Sequence, residues 1–381
     1  MSSKNIGAIS IVAGTAIGAG MLGLPMVIGS LGFVTGCLAM LVMWALAIFS
    51  GLMLIEINLE LGSGVNFNHM TREILGRPGQ IIATGSVFFL AYCLLVAYMT
   101  GMGGIISNAL TIDARIGSAA FAIISAIIFF IGTNALVSAN KILFVIMLSA
   151  MVASFTCLGG HISLQNLNMG TPTPKGLLLA LPVLFTSFGF HASIPSVVSF
   201  VGENKKSLVT ILVIGSSIPG LCYVTWLMLS LGSATPAQLA GMANVDALIS
   251  LISNGSTWLG RIVSVFAVLA LITSFFGVSL GLFDLVAETF KRSNDNVSRA
   301  GTSALVFLPP LAASVLAPHG FIAALSHAGA ALAVIAIFLP CIMVLKMRSE
   351  GKSQQFRAIG GSPAVITSFV FGLVIIAANY L

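Results

Sequence analysis

Residues Ile11–Pro25 read IVAGTAIGAGMLGLP, an apolar stretch in which four glycines fall within ten residues and a proline follows. Each glycine in a helix interior costs about 1 kcal/mol relative to alanine, so a break in a helix is inexpensive here. The alternative is an intact helix whose glycines form a close packing face. This segment alone leaves both interpretations open.

The composition places the stretch in a membrane. Of 381 residues, 58% are hydrophobic and 7% are charged, whereas a soluble domain carries about 25% charged residues. Lipid is therefore the main solvent, and a spanning helix needs about 20 apolar residues. The sequence predicts an all-α polytopic membrane protein with eleven spans, which are approximately Ile6–Gly29, Phe33–Leu59, Ile81–Ile106, Ile116–Leu136, Lys141–Gly160, Leu177–Val201, Leu208–Leu231, Ile262–Phe290, Thr302–Leu316, Phe321–Leu345 and Ala364–Leu381.

The basic residues predict the orientation, because cytoplasmic loops carry an excess of Lys and Arg. With the N-terminus inside, 13 of the 16 basic residues fall on the inner side, and Arg115, Lys175 and Arg261 fall outside. We therefore expect an inner-membrane protein with a cytoplasmic N-terminus and a periplasmic C-terminus. Two connections are candidates for short helices or for ordinary loops: Asn66–Leu75 inside, and Ser233–Gly260 outside, where Thr235 is a plausible N-cap before Pro236.

A second interrupted stretch favours the broken-helix interpretation. Leu181–Pro195 reads LPVLFTSFGFHASIP, and Gly189 precedes Pro195 by six residues much as Gly18 precedes Pro25 by seven. The two stretches lie five spans apart, and this odd offset reverses orientation. We therefore predict one transmembrane domain over residues 1–381, with inverted repeats at about 6–160 and 177–345 and an additional helix at about 364–381. Paired interrupted helices indicate a transporter's binding site near the midplane.

The chemistry of such breaks suits an amino acid. N–H groups that start a half-helix favour a carboxylate, and C=O groups that end one favour an ammonium. Phe188 and Phe190 are candidates to stack on an aromatic ring, although packing in lipid or core is an alternative for both. On the eighth span, Ser274 is a candidate ligand, but hydroxyls inside lipid often bond to their own helix.

Four ionisable residues are candidates for proton coupling. His191 lies inside the second interruption, and histidine titrates near neutral pH; a neutral histidine bonded to a nearby carbonyl is the structural alternative. Glu56 and Asp284 lie toward the inner ends of their spans. We expect at least one acidic residue to pair with a basic one, and Lys141 is the candidate partner.

Other functional classes find little support. The sequence has no HExxH, no GxSxG and no phosphate-binding loop, so we predict neither an enzyme nor a bound cofactor. The basic residues form no dense block, which argues against nucleic acid as a partner. The five cysteines lie inside apolar runs without a CxxC pair, so we predict neither metal ligands nor a disulfide framework. A channel needs a continuous pore, and the inverted repeat argues against one.

At these residues the sequence closely resembles the bacterial hydroxy and aromatic amino-acid permeases, and among them the tyrosine-specific branch. The resemblance covers nearly the whole chain and is strongest at Ile11–Pro25, Phe185–Ser199, Thr273–Asn294 and Phe307–Pro310. It implies a LeuT-type 5+5 fold with interrupted first and sixth helices, and import of an aromatic amino acid, tyrosine favoured, by proton symport. Tryptophan, or serine and threonine, are the alternative cargoes. A difference is His327, where the tyrosine-specific members carry a tyrosine.

The resemblance also indicates the site residues. At the first break these are Gly14, Thr15, Gly18 and Gly20, and at the second they are Ser187, Phe188, Gly189, Phe190 and His191. Ala16 and Ala19 lie between the glycines of the first break and are further candidates for binding cargo.

Overall fold

A computed structural model describes residues 3–62, 64–132, 134–292 and 295–381, and all regular structure within them is helical. Within these ranges, ten helices are long and apolar enough to cross a membrane, and one bent pair of helices makes an eleventh span. The predicted fold class and number of spans are thus confirmed. The helices are α1 Ser3–Ala16, α2 Gly20–Ile28, α3 Phe33–Leu61, α4 Phe67–Leu110, α5 Ala114–Ile131, α6 Asn134–Gly159, α7 Leu164–Leu167, α8 Pro174–Ser187, α9 Ile194–Val201, α10 Lys205–Ser233, α11 Pro236–Leu239, α12 Val245–Ile252, α13 Thr257–Thr289, α14 Asn296–Leu316, α15 Phe321–Ala333, α16 Leu339–Ser349 and α17 Gly361–Ala377.

Both predicted helix breaks are present. In the first span, α1 ends at Ala16 and α2 begins at Gly20, with a bend of 53° between the two halves. In the sixth span, α8 ends at Ser187, and a turn and a short 3-10 segment precede Ile194. Pro195 lies in the first turn of α9, where its missing N–H is not required.

Several predicted span boundaries differ from the helix ends by four residues or more, and two of them have a clear physical cause. The fourth span was expected to run through Leu136, but α5 ends at Ile131 and Leu136 belongs to α6. The sequence at 132–134 (GTN) is only three residues long, so average hydropathy does not separate the apolar runs on either side of it. The ninth span is longer than its apolar run. It begins at Asn296 because the Asp295 carboxylate caps it by accepting from the Ser298 N–H.

The two connections predicted as possible short helices are helical. Asn66 caps the start of α4, and Gly76, at φ +72°, separates a short first segment from the spanning part. In the second connection, Thr235 and Gln238 form a capping box around Pro236 at the start of α11.

Packing between spans places the two breaks side by side. Helix α1 packs against α10. Helices α8 and α9 both pack against α3, and α2 packs against α8. Around them, α4 packs against α15, and α13 packs against α6. When spans 1–5 are superimposed in order on spans 6–10, each of these pairs of spans corresponds to another, and the pair formed by spans 1 and 6 to itself, as an inverted repeat requires. The boundaries of the two repeats stay a prediction.

Candidate functional site

A cavity of about 1530 Å³ reaches from one face of the helix bundle to the breaks. All residues from Ala16 to Gly20 line it, together with Ser187 and Gly189 of the second break. Its other end carries Lys141, Asp284 and Glu288, all exposed. The cavity therefore connects the interrupted helices to the face that the charge count assigns to the cytoplasm.

The first break presents backbone groups of both polarities to this cavity. The Ala16 carbonyl, at the end of α1, accepts a hydrogen bond of 2.6 Å from the Tyr223 hydroxyl. The Ala19 N–H donates to the Ser274 hydroxyl at 3.1 Å. Within the described residues, the N–H groups of Gly18 and Gly20 have no hydrogen-bond partner. A Cβ at Gly18 would clash with the Ser274 hydroxyl, so this close approach requires glycine.

The remaining predicted residues of the first break surround it. Gly14 and Thr15 line the cavity in the last turn of α1. The Thr15 hydroxyl bonds back to the Ile11 carbonyl at 2.6 Å, the local bond expected of a hydroxyl inside lipid. Gly14 lies opposite the ring of Phe144 on α6.

At the second break Ser187 and Gly189 line the cavity, and the aromatic side chains beside them do not. The Ser187 carbonyl lies 2.7 Å from the Tyr223 hydroxyl, and the Ser187 side chain bonds back to Val183. Phe188 and Phe190 are fully buried and lie outside the lining. The Phe188 and Tyr223 rings pack edge to face with 5.4 Å between their centroids, and the Phe190 ring stacks on that of His191 with 4.8 Å between centroids. This conformation thus places the two rings behind the break, where they pack against protein.

Four other aromatic side chains line the cavity, and none of them is among the residues predicted from the sequence. They are Phe67, Tyr98, Phe144 and Phe200. Tyr98 lies on α4 with Ser274 as its polar neighbour, and Phe144 lies beside the first break. The available signal was a phenol in the middle of an apolar run, in a chain with only four tyrosines.

His191 is held between two spans. Its Nε2 lies 2.6 Å from the Ser50 hydroxyl of α3, and its Nδ1 is buried with no hydrogen-bond partner among the described residues. The side chain is 2% exposed and does not line the cavity. It lies directly behind the second break.

Glu56 pairs with Arg348 and not with Lys141. The Arg348 Nε and Nη2 donate to its two oxygens at 2.8 and 2.7 Å, and Ser353 and the Ala358 N–H also donate to it. The expected ion pair is confirmed, but the suggested partner was wrong, because α16 packs against α3 and places Arg348, in its last turn, beside Glu56. Lys141 makes no ion pair within the described residues.

His327, the difference from the tyrosine-specific members, is exposed on α15 and lies outside the cavity lining.

Comparison with known proteins agrees with this architecture. The chain is 33% identical to the tyrosine-specific transport system 1 of Haemophilus influenzae, covering 100% of this chain and 98% of the relative. It is 31% identical to a tryptophan-specific transport protein of Shigella flexneri, covering 98% and 94%. It is also 30% identical to glutamine transporter 2 of Aliivibrio fischeri, covering 100% of both chains.

A solved structure shows the fold. The manganese transporter of Eremococcus coleocola, crystallised with an aromatic bis-isothiourea compound, superimposes with a TM-score of 0.62 at 13% identity. The match covers 98% of this chain and 85% of that one, and it shows a LeuT-type fold. The sequence profile of the tryptophan/tyrosine permease family matches residues 1–379. The chain therefore belongs to the tryptophan/tyrosine permease family, a family of transport proteins.

Proposed function

We propose that the protein is a secondary active transporter that imports an aromatic amino acid, with tyrosine favoured, by proton symport. The observation that carries this proposal is the pair of broken spans, which present N–H and C=O groups to one cavity. The names of the relatives support aromatic cargo, and the glutamine transporter among them makes cargo the point to test.

The backbone groups assign the two ends of the cargo. The N–H groups of Gly18 and Gly20, unpartnered within the described residues, lie just before and at the start of α2, where the helix dipole favours the carboxylate. The carbonyls of Ala16 and Ser187 end α1 and α8, where the dipole favours the ammonium. A zwitterion thereby finds both partners without a charged side chain at the site.

The side chain of the cargo has aromatic and polar neighbours. Tyr98 and Phe144 offer ring contacts, and Ser274 lies between Tyr98 and the first break. Asn140, one helical turn before Phe144, lines the cavity with its Oδ1 buried and unpartnered in the described part of the chain. Such an acceptor favours cargo that carries a hydroxyl, and it supports tyrosine over phenylalanine.

Proton coupling requires a group whose proton affinity differs between conformations. An ion that binds both conformations equally does not shift the equilibrium between them. His191 meets this need best, since its ring joins the second break to α3 and its Nδ1 lacks a partner in the part of the chain that the structure describes. Lys141 and Asp284 are second candidates at the cavity mouth. Glu56 is the least suited of the four, because hydrogen bonds hold it away from the cavity.

We further propose an inner-membrane location with the N-terminus in the cytoplasm and the C-terminus in the periplasm. In that orientation, which rests on the distribution of Lys and Arg, the cavity opens to the cytoplasm. The conformation described here is then the one that releases cargo.

Counterflow in proteoliposomes tests the cargo and the class of protein together. Vesicles preloaded with unlabelled tyrosine should transiently accumulate labelled tyrosine, because exchange through alternating access couples the two fluxes. Tryptophan and phenylalanine should compete, whereas serine and glutamine should not. Competition by glutamine alone would contradict the aromatic assignment, and uptake without counterflow would indicate a channel. For the energy source, uptake should rise with an inward proton gradient and fall with an uncoupler, and uptake that requires sodium but ignores the uncoupler would reject proton symport.

A further inference from the structure

One buried hydroxyl joins the two broken helices. Tyr223 lies on α10 and is fully buried. Its hydroxyl is 2.6 Å from the carbonyl oxygen of Ala16 and 2.7 Å from that of Ser187. These residues are the last of α1 and of α8, so one side chain of a third span contacts the ends of both first half-helices.

The chemistry of this contact is unusual because acceptors outnumber donors. A helix C-terminus carries about half a negative charge, and two such ends converge on this hydroxyl. A phenol supplies a single proton, while each carbonyl oxygen has two lone pairs. The hydroxyl can donate its one proton to either oxygen or share it between the two, and both oxygens keep capacity to accept further hydrogen bonds. An ammonium, with three donors, is the group that such a pair of acceptors suits.

Tyr223 does not contact the cavity itself and acts on the site only through the two carbonyls that it bonds. Ala16 and Ser187 line the cavity, and Tyr223 does not. The edge of the Phe188 ring packs against Tyr223 at 5.4 Å and helps to hold the phenol in this orientation. This also gives buried Phe188 a role that needs no contact with cargo.

We propose that Tyr223 is a positioning residue whose hydroxyl holds the Ala16 and Ser187 carbonyls at the spacing that receives the cargo ammonium. The same bond ties the two breaks together, so that they rearrange as one unit. This inference rests on the proposed function, since it assigns the partner of the ammonium at that site.

The test compares two phenylalanine variants. Tyr223→Phe removes the bridging hydroxyl and keeps the ring. Tyr92→Phe is the matched control, because the Tyr92 hydroxyl also donates to a carbonyl of another span, that of Leu305 at 2.9 Å, and Tyr92 does not line the cavity. Equilibrium binding is measured with labelled tyrosine and by competition with 3-(4-hydroxyphenyl)propionate, which lacks only the ammonium.

We expect Tyr223→Phe to raise the Kd for tyrosine about tenfold, the scale of one hydrogen bond to a charged group. The weak binding of the deaminated analogue should stay unchanged, so the ratio of the two affinities falls. Tyr92→Phe should leave both affinities and their ratio as in the wild type. An unchanged ratio in Tyr223→Phe, whether both ligands bind normally or both lose affinity equally, would overturn the proposal.

Two analogues cover the case in which Tyr223→Phe does not fold. At position 223, 4-aminophenylalanine keeps a donor on the ring and 4-methylphenylalanine has the same shape without one. The amino analogue should keep the wild-type ratio and the methyl analogue should lose it, and equal ratios would refute the positioning role. Wild-type protein that binds no aromatic amino acid at all would instead reject the proposed function, which separates the two failures.

Discussion

The buried ion pair of Glu56 provides a quantitative test of what holds the ends of α3 and α16 together. Glu56 is 0% exposed and accepts two hydrogen bonds from Arg348, one from Ser353 and one from the Ala358 N–H. Glu56→Gln keeps the shape of the side chain but replaces one acceptor oxygen with an N–H donor. That donor would face the guanidinium, whose own side chain is only 8% exposed.

The expected loss follows from the charge left behind. Removing one partner of a buried pair costs about 3–5 kcal/mol, because the remaining charge stays desolvated. Replacing both partners with uncharged groups of similar size is often near neutral. We therefore expect the double variant Glu56→Gln/Arg348→Met to recover most of the stability that Glu56→Gln loses.

The assay is thermal unfolding of the purified protein in detergent, together with tyrosine uptake normalised to folded protein. Glu350→Gln is the control, because its ion pair with Lys352, also 2.7 Å long, is solvent-exposed and such pairs contribute little. We expect no measurable change in this control. Normalised uptake should survive in the double variant, since Glu56 does not line the cavity.

Two results would refute this reasoning. If Glu56→Gln were as stable as Glu350→Gln, the buried pair would not hold the loop after α16 onto α3. If the double variant were stable but had lost proton-driven uptake while retaining exchange, Glu56 would be a coupling group and not a structural one.

Three further outcomes are expected. Gly277→Leu should reduce tyrosine uptake at least tenfold without loss of fold, because Gly277 lines the cavity and a side chain added there meets open space. Gly85→Leu is the control, since position 85 is equally open but lies outside the lining, and this variant should transport normally. Equal inhibition of both variants would contradict a steric block. Ser274→Ala should weaken tyrosine binding several-fold, since the Ala19 N–H loses an acceptor worth about 1 kcal/mol; unchanged affinity in the binding assay would show that this bond does not order the break. His191→Gln should reduce proton-driven uptake more than counterflow, and equal loss of both would assign His191 a structural role.

The sequence predicted the backbone of the site because its causes are local. Glycine and proline change the cost of helix at their own positions, so Gly18 and Gly189 marked the breaks within a few residues. The directions of the side chains at the breaks could not be predicted in this way. Helical periodicity does not continue through a break, and the residues on either side of Gly189 therefore could not be assigned to the cavity or to the core. Phe188 and Phe190 turned out to be buried.

Hydropathy, charge and the glycine–proline pairs determined the number of spans and the positions of both interruptions, because each of these properties acts along the chain. Tertiary structure alone decided which side chains meet. Tyr223 reaches a carbonyl 207 residues away, and Arg348 reaches a carboxylate 292 residues away. Nothing local encodes such contacts. They exist because spans distant in sequence pack against one another, and a donor or charge buried in the bundle is costly unless this packing gives it a partner.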